Sequence, residues 1–481
     1  MLKSIKNIAR VVIITITTIT VLILMLLLLL SISPVQTIIS KKLSEYISEE
    51  LNTTISVDRI KYTYFNRLNI ANLLIKDKNQ DTLIYIPLLR VSIRKYEPGT
   101  GSLTLGRIIA TRPQVSLITD STGVMNLTWY LDKFRKKDSE HGKGKGKIEI
   151  NRIDLNNGRF RLVNITKPHS KTPVDFNNLR LDSLYATVTK LNIAGDSVKM
   201  DIKDLRFRES SGFEVKNFSS ELSVSGRKII FYNSLIESDS SLINAPVIAL
   251  LPDSVTKFRN FESGVGLQIQ LTESKIACSE LRYLVPLKTL PSNIFNIKGT
   301  VTGTISELKG RNISIAFEDN SKAEINISLS GLPDINNTFI FFEIKQLETF
   351  PMELEKLKIP GAKPIIIPDN LRDMGKIAFS GSFTGFITDF VTYGRLYTDA
   401  GIISSDISLR PEGAKHFRIK GLLKCENIDA GRIAGNSDLF GKSTLIADIN
   451  GETESFKTFA FSVNGKIDSI EINKYKYRDI T

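Results

Sequence analysis

The sequence predicts a mainly β protein: an N-terminal transmembrane helix followed by an elongated, curled, repeating β-sheet groove with short helical interruptions. Three observations predict it. No charge falls between Val11 and Ile32; beyond residue 52 apolar side chains recur at every second position; and a glycine-apolar unit that starts at Ile297 returns at Phe379. With 481 residues and 42% hydrophobic content, the chain can build real cores and is not a disordered tail.

Residues 1–10 read as a cytoplasmic tail and 11–32, "VVIITITTITVLILMLLLLLSI", as the membrane span, because a helix of that length rises about 33 Å. Lys3, Lys6 and Arg10 precede it and no acidic residue does, so the positive-inside bias places the N-terminus in the cytoplasm and the bulk across the membrane. A cleaved signal peptide would suit Ser31 and Ser33, but the apolar run exceeds the usual length of such a segment.

Ser33 as N-cap, Pro34 in the first turn and Gln36 three residues after the cap predict a second helix over 33–51. Val35, Ile38, Ile39, Leu43, Tyr46, Ile47 and Leu51 form its apolar stripe; Lys41, Lys42, Glu45 and Glu49 lie opposite. That mixed charge suits a helix capping a sheet better than one lying on a bilayer.

From residue 52 the period becomes two. "ISVDRIKY", "LNIANLLIKD", "TLIYIPLLRVSI", "RIIATRPQVSLI", "GRFRLVN", "SSELSVSGRKIIFY", "GVGLQIQL", "NISIAF" and "HFRIKGLLKC" read as strands. Helical interruptions around "ACSELRYL" and "FPMELEKL" are short and end at prolines. A polar Gly/Lys-rich loop, 136–147, separates an N-terminal strand group, 52–135, from a repeating region, 148–481.

The repeat superposes "IKGTVTGTISEL" from Ile297 on "FSGSFTGFITDF" from Phe379, with a weaker echo in "VNGKIDSI". Its glycines share the apolar face, where they either leave room or let the strand bend, as ordinary bulges do.

Little chemistry is legible. "FGKST" at Phe440 to Thr444 has Asn436 where a phosphate loop needs glycine, and a strand pattern follows it where a helix should, so it reads as a turn between strands. His141, His169 and His416 are each read as isolated from any Cys or paired carboxylate at ligand spacing, and Cys278 and Cys425 define neither a disulfide framework nor a zinc cluster. No nucleophile elbow or localised acid pair is visible, so neither catalytic residues, metal, cofactor nor small-molecule substrate are expected and the chain is not read as an enzyme. The net charge of +13 is dispersed apart from a run between Lys133 and Lys147, which argues against nucleic acid as a partner. Asn-x-Ser/Thr triplets such as those at Asn126 and Asn312 reflect turn composition.

A one-sided apolar sheet needs a cover, and the chain supplies too little helix to provide one. With about 25 strands, leaving three apolar side chains on each in water would forfeit roughly 1.5 to 3 kcal/mol apiece, far beyond a domain's margin. Curling into a trough recovers part of this, and hydrocarbon could fill the rest. Moving a tail of about 16 carbons into water costs about 12 kcal/mol, a penalty that a continuous apolar trough removes; 25 strands side by side would extend roughly 120 Å. The lining expected of such a groove is Ile297, Val301 and Ile305, then Ile313, Ile315 and Phe317, then Ile325, Ile327 and Leu329. Phe379, Phe383 and Ile387 follow in the second copy of the repeat, and Phe459, Phe461 and Val463 near the end.

The anchor, the amphipathic helix, the segment from Ile55 to Ile93 with its "D…DTL" turn at Asp77 to Leu83, and the stretches "GSFTGFITDFVTYGRLYTDAGIISSDISL" and "GLLKCENIDAGRIAGNSDLFGKSTLIADINGE" together resemble the N-terminal part of TamB-like proteins, in the AsmA-like superfamily of bridge-like lipid transfer proteins. The resemblance runs along nearly the whole chain and rests on pattern. It implies a taco-like β-groove, an inner-membrane anchor and a periplasmic bulk. It also implies membrane phospholipids as partners in transport towards the outer membrane, and roles in outer-membrane biogenesis with a β-barrel partner of the TamA or BamA kind. The alternative function is a translocation and assembly factor that presents strand edges to outer-membrane or secreted proteins. Such proteins usually continue further, so the chain is expected to be part of a longer one.

Overall fold

The computed structural model describes residues 33–480 apart from 52, 64–65, 129–146, 171, 196, 227, 253–260, 284–291, 359–364, 373, 414–415 and 455–457. The expected cytoplasmic tail and membrane span lie outside these residues, as does the loop expected at 136–147 except for Lys147. Among the described residues no helix is long and apolar enough to cross a membrane. The protein is mainly β, and it divides into two compact units, Met1–Leu222 and Ser223–Thr481.

The first unit opens with helix α1 (Ser33–Leu51), which contacts β1 (Ile55–Ser56) and β2 (Arg59–Thr63). Ser48 joins helix to sheet, its hydroxyl 2.9 Å from both the carbonyl oxygen and the amide nitrogen of Ile55. The stripe is not wholly covered: Ile38 and Tyr46 are exposed while Gln36 and Ser44 are buried. Strands β3 (Arg67–Lys76) and β4 (Thr82–Glu97) form a long hairpin whose turn is organised by Asp77. Its carboxylate accepts the amides of Asn79 and Asp81, each at 2.9 Å, and the Asn126 side chain at 3.0 Å. Leu83, at the end of the "D…DTL" segment, is buried beside it.

The segment "RIIATRPQVSLI" is two strands and not one. Arg112 takes a positive φ of 49° and Pro113 has no amide to donate, so the chain breaks into β5 (Ser102–Thr111) and β6 (Gln114–Thr119), which pair one after the other along β4. Both also pair in parallel with β7 (Lys147–Asn164), so the strands on either side of residues 136–147 belong to one unit. A parallel neighbour requires a crossover connection, unlike the hairpins elsewhere. Antiparallel β8 (Asn178–Ala194), β9 (Ser197–Glu209) and β10 (Glu214–Ser225) follow, the last passing the boundary between the units.

The second unit is an antiparallel meander, each strand pairing with the next. It begins with β11 (Lys228–Ser238), β12 (Leu242–Pro252) and β13 (Val265–Ala277), and continues with β14 (Ile294–Gly303), β15 (Glu307–Phe317), β16 (Ser321–Ser330) and β17 (Phe339–Thr349). Then come β18 (Ile377–Phe386), β19 (Asp389–Thr398), β20 (Gly401–Pro411) and β21 (His416–Asp429), and finally β22 (Phe440–Glu454), β23 (Thr458–Ile472) and β24 (Tyr475–Ile480). "FGKST" opens β22; it is strand, not the expected turn between strands.

Among the short helices between strands, three recur at every fourth strand. Cys278–Leu281 follows β13, Pro351–Leu354 follows β17 and Ala430–Ala434 follows β21. Each reaches back to the hairpin turn two strands earlier. Glu280 accepts the Ser238 hydroxyl at 2.6 Å and the Ser240 amide at 2.8 Å, and also bonds Ser241, between β11 and β12. Glu353 does the same between β15 and β16, taking the Asn320 amide at 3.1 Å and the Ser321 hydroxyl. At the third position the Asp429 amide donates to Ala400 O, between β19 and β20, at 2.6 Å. The repeat is therefore four strands and a helical turn. In that frame β14 corresponds to β18 and to β22, so "VNGKIDSI", which lies in β23, is not the third copy.

Candidate functional site

In an antiparallel ladder, paired residues stand side by side on one face, so the register alone traces rows across a sheet. Four neighbouring rows in the second unit are apolar or glycine almost without exception. The first runs from β14 to β18 through Ile297, Ile315, Ala323, Leu347 and Phe379. It continues to β24 through Leu396, Ile403, Cys425, Leu445, Ile467 and Ile480.

The next row holds Ile313, Ile325, Ile344, Gly381 and Gly394, then Ser405, Leu423, Ala447 and Gly465. The third reaches from β11 to β14 through Phe231, Ile248, Ile269 and Val301. It passes on through Gly310, Ile327, Phe342, Phe383 and Thr392, and then Ile407, Gly421, Ile449 and Val463. In the fourth, Leu308, Leu329, Ile340 and Gly385 are followed by Phe390, Leu409, Ile419, Gly451 and Phe461. Thr392 interrupts little, because its hydroxyl donates to Ser382 O at 2.9 Å.

The opposite face is different in kind. A representative row there reads Ser380, Arg395, Ser404, Lys424, Ile446 and Lys466. Its occasional large apolar members, such as Val391, Leu422 and Ile446, are exposed.

Side chains of the apolar rows are mostly half-buried: Ile325, Leu409, Cys425 and Ala447 are buried, Val301, Ile327, Phe342 and Phe383 are half-buried, and Phe461 and Val463 are 54% and 61% exposed. A sheet sealed between two layers would bury both its faces. Here most members of the apolar rows are only half-buried. A Val, Leu or Ile left half in water forgoes roughly 1 kcal/mol of its burial energy, so the face keeps an unspent affinity for hydrocarbon.

The glycines serve both of the purposes the sequence leaves open. Gly303 and Gly385, with φ of 105° and 136°, sit at equivalent points of the two repeats just before the turns. Gly381 and Gly394 instead lie under the Phe379 ring, where an added Cβ at either would meet ring carbons at 2.8 Å.

The structure brings together Ile297, Val301, Ile313, Ile315, Ile325, Ile327, Leu329, Phe379, Phe383, Phe461 and Val463 on this face. Phe317 closes β15, buried with its ring 5.3 Å from that of Phe295. Ile305 and Ile387 are corrections: the strands stop at Gly303 and Phe386, so both isoleucines occupy turns, Ile305 half-buried and Ile387 exposed. The Phe459 backbone pairs with Thr453, but its side chain lies outside the described residues. Sequence periodicity missed Phe342, Ile344, Leu347 and Leu396, although their alternation was there to be read.

Compared with protein-family models, with curated proteins and with solved structures, the chain matches none.

Proposed function

We propose that the chain is a membrane-anchored, non-enzymatic carrier of acyl chains, conducting phospholipid from the inner membrane through the periplasm towards the outer membrane, as the TamB-like resemblance implies. One observation carries the reading: the four apolar rows continue side by side from β15 to β23 with only Ser405 and Thr392 as polar members. At about 4.8 Å per strand this stretch is roughly 40 Å wide. A lipid tail of about 16 carbons laid across it would exchange one strand for the next without being hydrated, which avoids about 12 kcal/mol. The headgroup would stay in water along the edges.

Photo-crosslinkers placed at Val301 and Phe383, on the apolar face, and at Lys309 and Lys420, on the polar one, test this in the detergent-purified chain. Phospholipid adducts at the first pair and none at the second are expected by mass spectrometry. Equal labelling on both faces, or none, would count against the reading. Crosslinks from the edge strand β24 to a barrel protein, with no lipid on the face, would favour the assembly factor.

A further inference from the structure

We propose that the first unit binds a phosphoryl oxyanion between Arg161 and Arg180. Register places Ser116, Arg161 and Arg180 in one row across β6, β7 and β8, so the two arginines stand directly opposite each other. Like charges in that position oppose pairing. The neighbouring row brings Gln114 beside Arg159, and Arg159 is matched by Asp182 at 3.3 Å. Asp182 is also paired in register with Arg208, which bonds Glu214 at 2.6 Å. The adjoining charges are thus accounted for, and the Arg161 and Arg180 pair remains as surplus positive charge.

The same unit shows how an opposed arginine pair is otherwise accommodated. Arg107 and Arg152 face each other across β5 and β7, and Asp154 lies between them at 2.6 Å and 2.8 Å, with Thr187 adding a hydroxyl at 3.3 Å. Among the described residues no carboxylate comes within ion-pair distance of Arg161 or Arg180. Both arginines line a cleft of about 300 Å³ together with Thr82, Gln114, Ser116 and Arg159, and with Asp182, whose carboxylate is the one engaged by Arg159. That volume is at the lower end for small-ligand sites. Two guanidinium forks suit a tetrahedral, multiply oxygenated anion, and the Ser116 hydroxyl and Gln114 amide add neutral donors. The phosphoryl group could belong to a phospholipid headgroup or to free phosphate. The proposal is independent of the apolar face of the second unit.

The test is thermal unfolding of the full chain in detergent, with inorganic phosphate compared against chloride at matched ionic strength, and phosphatidylglycerol in mixed micelles compared against diacylglycerol. A higher midpoint with either phosphate source over its control is expected, and the responding source identifies the ligand. Arg161→Ala should raise the half-saturating concentration roughly tenfold or more. Arg161→Glu, which sets a carboxylate against Arg180, should raise the midpoint in chloride and abolish the response. Equal midpoints with each source and its control would overturn the proposal, as would an undiminished response in both variants.

Discussion

A single carboxylate placed in the middle of the apolar rows should obstruct lipid movement far more than it disturbs the fold. Ile327 on β16 lies between Gly310 and Phe342, half-buried, with Ile325 and Leu329 on either side along the strand. A tail crossing that strand lays about four methylenes over a spacing of about 4.8 Å. If Ile327→Asp keeps water there, those methylenes are hydrated at about 0.8 kcal/mol each, or roughly 3 kcal/mol in all. Passage should then slow by a factor of roughly 150. The control is Asn450→Asp, exposed on the polar face of β22, which adds the same charge where no lipid is expected. Transfer of a fluorescent phospholipid between donor and acceptor vesicles bridged by the chain would report the rate, with far-ultraviolet circular dichroism confirming the strands. Transfer by a folded Ile327→Asp variant at the rate of Asn450→Asp would refute the argument.

Two further outcomes follow from particular side chains. Asp77→Ala leaves the amides of Asn79 and Asp81 and the Asn126 side chain without their acceptor, so denaturant titration should show a loss of about 2 kcal/mol, and Asp77→Asn a smaller one. Hydrogen bonds from Lys376 and then Lys322, at 2.9 Å and 3.1 Å, hold Glu348 down from the usual 4.5 to about 2. Because the folded value is the lower one, this pairing contributes fully above pH 4.5 and is lost as pH falls towards 2. Thermal midpoints followed down through that window should therefore drop less steeply in Glu348→Gln than in the unaltered chain.

The sequence showed the fold class but not the neighbours. Period-two patterning marked "LNIANLLIKD" and "TLIYIPLLRVSI" as strands because each alternates along its length, and the apolar stripe expected over 33–51 is helical as helix α1. Pairing partners depend on contacts between distant segments. That is why the parallel match of β5 and β6 with β7 could not be foreseen, nor the meeting of Arg161 with Arg180. Alternation continues into Ile305 and Ile387, but the positive φ of Gly303 and Gly385 turns the chain before the pattern ends, so both isoleucines fall outside the strands. The weaker echo "VNGKIDSI" shares the apolar and glycine pattern of the repeat but runs in β23, the neighbour of the equivalent strand β22, because pattern alone carries no pairing order.

The hydrogen bonds that tie each helical turn to a hairpin two strands back, made by the Glu280 and Glu353 carboxylates and the Asp429 amide, have an evolutionary corollary. Insertions or deletions that respect those ties come in blocks of four strands, and an even number of reversals returns the polypeptide to its original heading. Duplicating such a block would widen the sheet of the second unit by roughly 19 Å and leave every oily residue on its former side. The number of strands in this unit can thus change in fixed steps while the chemistry of its apolar face stays the same.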